Sequence, residues 1–372
     1  MKYCKKCVQP DTRPGIMFDE EGVCLPCRYF EALEYVDWDA RRSELDEVIE
    51  FGRKNNVSGY DCIIGVSGGK DSTRQAMLVK QELGLKPLLV CCSYPPEQLT
   101  ERGAHNISNL ISLGFDCITV APDPKVWKTL FRQGFFYYGN FFKASEMALY
   151  ACLPKAAIAY HIPLIFLGEN PTLLYGDCGA GEDGGDGNKM KYSNTLDGGD
   201  PKNLMTDKMT HRDTYWYRYP SDDEIRRAKL RIVYLGYYFK DFVSFKNAEF
   251  SIEHGLMVRE DEPEEIGSYF KFDALDDDFV IVNQTIKYLK FGFGKMTDLA
   301  NDAIHIGIMT RSEAIELVKR YDGRCGQKYI RSVCEYMNIT KEEFWTIVEK
   351  YINEKLFKKC DDGNYVLKEL IY

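Results

Sequence analysis

The chain has 372 residues, 45% hydrophobic and 28% charged, which excludes wholesale disorder and leaves room for one large domain or two to three smaller ones. Acidic residues (57) outnumber basic ones (48), a net charge of −9. That balance argues against a surface built to neutralise nucleic-acid phosphates.

Residues 1–10 lack the apolar run of a secretory signal. The longest apolar stretch, 147–168, is interrupted by Pro154, Lys155, His161 and Pro163, so it makes a poor membrane span. A cytoplasmic protein is expected. Thirteen cysteines without a secretion signal point to metal ligation before disulfides.

Residues 1–30 read as a small module too short for a large core, and therefore in need of a staple. Cys4-x2-Cys7 and Cys24-x2-Cys27 stand sixteen residues apart, the spacing of a four-cysteine zinc site. Four thiolates fill a tetrahedral site and leave no position for water, so the predicted Zn²⁺ is structural. Residues 31–57 are charged with apolar positions at helical spacing and are predicted to form a helical connector.

From residue 60 the pattern becomes strand, helix, strand. Strands are predicted at 61–66, 87–92, 115–120 and 163–167, with helices running to 83, over 97–113 and over 143–160. This alternation predicts α/β units on a parallel sheet. Cys62, Cys91, Cys92 and Cys117 fall on these strands and are expected to be buried small hydrophobes. Residues 176–200 carry too much glycine and acid for a packed element, and read as a lid or as an ordinary surface segment. Within them Cys178 faintly resembles a glutaminase nucleophile elbow, but Ala180 takes the place of the last glycine and no apolar strand leads in. Residues 215–250 are rich in aromatics, read as packing rather than as a platform for a sugar or base. Beyond 262 the chain reads helical, with capping boxes at Thr310/Glu313 and Thr340/Glu343 and a hairpin turn near 361–364. The predicted division is 1–30, 31–57, 58–250 and 251–372.

The most informative string is Gly65-Val66-Ser67-Gly68-Gly69-Lys70-Asp71-Ser72. It follows a strand and opens a helix, where free N–H groups and the helix dipole favour an anion. It is not a Walker A loop, since Ile64 and Asp71 stand where glycine and Ser/Thr are required. Residues 67–72 match the SGGxDS signature of the PP-loop ATP pyrophosphatases. The resemblance implies a Rossmann-like fold that cleaves ATP between the α and β phosphates. In that reading Ser67, Gly68, Gly69 and Ser72 cradle pyrophosphate. Lys70 adds a mobile positive charge, and Asp71 orients the loop or helps hold Mg²⁺. Gly168-Glu169-Asn170, after the fourth predicted strand, looks like the later motif that reaches the nucleotide. Ser93, after the second strand, stands where adenine is often contacted.

The likeness extends further. Residues 1–15, 237–249, 288–298 and 311–323 are similar to the N-acetyl sugar amidotransferases of bacterial surface-glycan pathways, including O-antigen and pseudaminic-type sugars. The resemblance implies adenylation of an acetamido oxygen, attack by ammonia, and release of AMP from an acetamidino sugar. Without a convincing glutaminase, it also implies a separate glutaminase subunit and a cyclase-like ammonia-channel subunit. Lys290, Lys295 and Asp298, among Gly292 and Gly294, are either sugar-binding residues or an ordinary helix end. A tRNA-modifying PP-loop thiolase is the alternative reading, and a non-enzymatic zinc-ribbon scaffold a third.

Overall fold

The computed structural model describes residues 1–177, 184–361 and 365–368. The cysteine module leads into α1 (Leu25–Ala32), which begins with Pro26 in its first turn. A short 3-10 turn follows before α2 (Trp38–Lys54). The connector is therefore two helices. Asp37 caps the second by accepting the Ala40 N–H at 2.9 Å.

β1 (Cys62–Gly65), α3 (Lys70–Gln81), β2 (Pro87–Cys92), α4 (Glu101–Ser112) and β3 (Cys117–Val120) follow the predicted alternation. α5 (Pro124–Tyr138) was not foreseen, although Asp123 caps it, Pro124 opens it and Gly139 closes it in the left-handed region. α6 (Lys143–Tyr160) and β4 (Leu164–Leu167) match their predicted spans closely, and α7 (Pro171–Tyr175) is short. α8 (Asp222–Arg227) precedes β5 (Arg231–Tyr234), a strand hidden within the aromatic run.

Helices make up most of the remainder: α9 (Ser244–Glu253), α10 (Pro263–Ile266), α11 (Phe279–Phe291), α12 (Lys295–His305), α13 (Arg311–Tyr321), α14 (Gln327–Met337) and α15 (Lys341–Glu349). Both predicted capping boxes form, at the starts of α13 and α15. β6 (Phe357–Lys359) and β7 (Tyr365–Leu367) pair antiparallel as the expected hairpin; residues 362–364 of its turn lie outside the described residues.

The main sheet has five parallel strands in the order β3-β2-β1-β4-β5. α6 lies across one face, touching β1, β2 and β4. It is buried on nearly every side, which explains its all-round apolar sequence. That face continues into the C-terminal helices: Phe131 and Phe135 of α5 stack against Phe141, and Phe135 against Phe344 of α15. Each fully buried ring contributes about 2–3 kcal/mol. The opposite face packs on α2 and α3. Cys62, Cys91 and Cys92 are buried as expected, but Cys117 is half-buried because β3 is a sheet edge.

Of the glycine-rich stretch, residues 184–200 are packed. The Gly187 N–H donates to Ile232 O of β5 at 2.8 Å, and Met190 and Leu196 are buried. Cys178 lies outside the described residues. The aromatics Tyr217, Tyr234 and Phe242 are core, as the packing reading required. No helix among the described residues is long and apolar enough to cross a membrane.

Candidate functional site

The strand order reverses direction between β1 and β4, which are neighbours. Ligands of open parallel sheets bind beyond the carboxyl ends of strands at such a point. The two sequence motifs meet there. The 65–72 loop leaves β1, and Gly168-Glu169 leaves β4. Gly68 sits at φ +82°, and a Cβ on it would lie 2.8 Å from the Ile107 amide, so the turn demands glycine. Gly69 caps α3 without a side chain, and Ser72 Oγ donates back to Gly69 O at 3.1 Å. Gly65, Ser67, Asp71, Ser72, Gly168 and Glu169 all line one open cavity of 260 Å³. Cys92, Met190 and Tyr234 help to close it.

Lys70 departs from the expected mobile charge. It is 7% exposed, with Nζ 2.7 Å from Asp71 Oδ2 and 3.2 Å from Asp273 Oδ1. Burial works against its charge, but the carboxylates of Asp273 and Asp71 outweigh burial and raise its pKa. Asp273 in turn contacts Lys295. Asp298, one turn along α12, pairs with Lys287 at 2.6 Å and with Arg13 of the cysteine module. Lys295 and Asp298 thus join the loop lysine in one buried network. Lys290 does not: its Nζ donates to Tyr138 O at 2.6 Å, beside Tyr351. The neighbouring glycines make room for the chain itself. Cβ atoms on Gly292 and Gly294 would meet Met1 Sδ at 2.8 Å and Asp322 Oδ1 at 2.9 Å.

Two further nominated residues serve the fold. Asn170 caps α7, its Oδ1 accepting the Thr172 N–H at 2.9 Å while Nδ2 donates to Gly184 O. Ser93 follows β2, and its Oγ donates to Tyr94 O at 3.0 Å. Sequence reasoning missed Gln75, Asn247 and Asp273. Gln75, on the second turn of α3, lines the 260 Å³ cavity, and its Nε2 has no partner among the described residues. Only its distance from the loop, one helical turn, would have marked it.

Burial, then the Asp71 charge, pushes the Glu169 carboxyl up to about 7. Burial does the same to Asp302. A carboxyl whose folded pKa exceeds its unfolded value keeps a proton that the unfolded chain has lost. Its stabilising effect is complete below the unfolded value and disappears as pH rises through the folded one. Melting temperature is therefore expected to fall as pH rises from about 4 to about 7, and Glu169→Gln with Asp302→Asn to reduce that slope. Differential scanning fluorimetry across this window checks it; an unchanged slope in the double variant would contradict the assignment.

Cys4, Cys7, Cys24 and Cys27 converge with all four sulfurs within 4.8 Å of one another. The Cys4–Cys27 and Cys7–Cys24 Sγ separations are 3.8 and 3.6 Å. A tetrahedron with metal–sulfur bonds of about 2.3 Å has edges of about 3.8 Å, so the cluster fits Zn²⁺. The backbone N–H groups of Lys6, Gln9 and Cys24 point at these sulfurs, as in metal knuckles. The module docks on α12 and α13. The Val8 N–H donates to Asn301 Oδ1 at 3.0 Å, and Arg311 donates to the carbonyls of Cys7 and Cys4. His305, stacked on Phe30, places Nε2 3.3 Å from Cys27 Sγ.

Residues 266–370 match a family model described as the C-terminal domain of WbpG-like LPS biosynthesis proteins. The matched part contains Asp273 and all of α12. A protein of Methanocaldococcus jannaschii, named Uncharacterized protein MJ1599, is 30% identical over 89 residues, 23% of this chain. That match spans 31% of the relative's own length.

Proposed function

We propose that the chain is an ATP-dependent, AMP-forming amidotransferase that converts the acetamido group of an N-acetyl sugar to an acetamidino group during surface-glycan biosynthesis. The observation that carries this reading is the 67–72 loop at the carboxyl end of β1, opening with Glu169 of the adjacent strand onto one cavity. The loop's resemblance to the PP-loop pyrophosphatases supports ATP as co-substrate. The likeness to a WbpG-like LPS biosynthesis domain supports a glycan precursor as acceptor.

The α3 N-terminus and the Ser67 and Ser72 hydroxyls bind the departing pyrophosphate. Asp71, held by Lys70 and Asn247, is the carboxylate placed to hold the Mg²⁺ that shields the triphosphate charge. The acetamido oxygen attacks the α phosphorus, and the P–O bond to pyrophosphate breaks. Catalysis of this step is positioning and charge stabilisation. Ammonia then adds to the activated carbon. The C–O electron pair leaves with AMP, and one N–H proton goes to a base, for which Glu169 is placed. Met190 and Tyr234 exclude water from the adenylate. Zn²⁺ in the cysteine module is structural and takes no part in these steps. Ammonia comes from a separate glutaminase through a cyclase-like channel subunit.

The test is AMP release from Mg-ATP and ammonium, with UDP- and CMP-linked acetamido sugars added singly and product mass followed. One sugar is expected to trigger AMP and to exchange oxygen for NH. AMP release with bulk tRNA, and with no sugar, would move the assignment to base thiolation.

A further inference from the structure

Beside the 260 Å³ cavity lies a much smaller one. It has 20 Å³ for the centre of a water-sized body, enough for one. The two share Asp71 and Glu169 as walls. Asp302 of α12 and Asn247 of α9 complete its polar side, and Phe30 and Phe245 lie among its apolar walls.

Asn247 is decisive. It is 1% exposed, and its Nδ2 donates to Asp71 Oδ1 at 2.9 Å. A carboxylate next to Lys70 accepts only, so the amide orientation is fixed by chemistry. Its Oδ1 is then the free arm, buried and without a partner among the described residues. Leaving such an acceptor unpaired is costly, so its place at this cavity points to a donor-bearing ligand.

We infer that this cavity binds a single ammonium ion, held by the carboxylates of Asp71, Glu169 and Asp302 and the Asn247 carbonyl. Ammonium is water-sized and brings N–H donors to a wall of acceptors. Aromatic walls such as Phe30 and Phe245 suit a weakly hydrated monovalent cation better than a strongly hydrated divalent one. A divalent ion would need about six oxygens, several of them water, in a space for one. Lys70 and Lys295 face the carboxylates from the loop and from α12, and keep the cage from being too negative to release its guest.

The inference rests on the amidotransferase reading and names how its nitrogen reaches the reaction. Ammonium gives one proton to the Asp302 carboxylate, which leaves Glu169 to take the proton released after addition. The ammonia left behind has a free lone pair and attacks the activated carbon across the shared wall.

The test soaks crystals of the full chain in thallium(I) acetate, an anomalous scatterer of ammonium's size. A peak among Asp71, Glu169, Asp302 and Asn247, displaced by ammonium acetate, is expected. No peak, or occupancy by Mn²⁺ in its place, overturns the inference. In turnover, Asp302→Asn is expected to raise the KM for ammonium about tenfold with the KM for ATP unchanged. Equal rises in both would make Asp302 merely structural and also overturn it. Thallium binding needs no substrate, so the two readings fail separately. AMP formation with an empty cavity removes only the ammonium site; an occupied cavity with no AMP from any acceptor removes only the amidotransferase.

Discussion

Replacing Cys24 by serine is expected to abolish zinc binding, lower the melting temperature by about 10 °C or more, and abolish AMP formation. The first thirty residues hold themselves together through a core made mostly of the four cysteines and Val23. Without the metal, four buried sulfurs remain, and little else stabilises that segment. Structural zinc is worth about 10 kcal/mol or more in isolated modules. Here the loss spreads, because the module also holds α12. Val8 reaches Asn301, and Arg13 reaches Asp298. Asp298 then loses one of its two cationic partners, and Lys295, on the same turn, is the residue that Asp273 links to the loop lysine. Metal content by mass spectrometry, melting and AMP release should fall together. Cys360→Ser, in the hairpin and not one of the four clustered cysteines, should change none of them. A Cys24→Ser protein that retained zinc and stability would show that the four sulfurs are only a reduced core.

The elements that sequence reveals well here are those whose signal is local. β2 and α6 match the reading because an apolar run or an all-round apolar helix declares its burial without reference to neighbours. The cysteine cluster and the two capping boxes are legible for the same reason, since fixed residue types at fixed spacing make short-range bonds. β5 was missed because its four residues are embedded among aromatics that serve other packing, so no alternation stands out. The site shows the same division. Residues 65–72 and 168–169 are contiguous motifs, and both follow strands and line one cavity. Asp273 and Asn247 come from unremarkable segments far along the chain, and only tertiary packing places them 3.2 and 2.9 Å from the loop's Lys70 and Asp71. Lys70 itself was read as mobile because its partner Asp273 is 203 residues away.

Asp273 carries the other large expected effect. It stands between two lysines: Lys70 at 3.2 Å, and Lys295 on its other oxygen. Burial opposes its charge, but the two cations outweigh that and hold its pKa well below the usual range. Asp273→Ala leaves both ammonium groups without the carboxylate between them. Removing one partner of a buried ion pair costs about 3–5 kcal/mol, chiefly through the charge left unpaired. The variant is expected to lose about that much stability in urea and to slow AMP formation by about 100-fold, because Lys70 no longer holds Asp71 at the loop. Adding Lys295→Met should restore much of the stability, since the second uncompensated charge is then gone. It should not restore activity, since Lys70 still lacks its anchor. That split separates a positioning role from a structural one. If the double variant were no more stable than Asp273→Ala, the two lysines would not be energetically coupled through this carboxylate. If activity returned with stability, Asp273 would matter to the loop only through the fold.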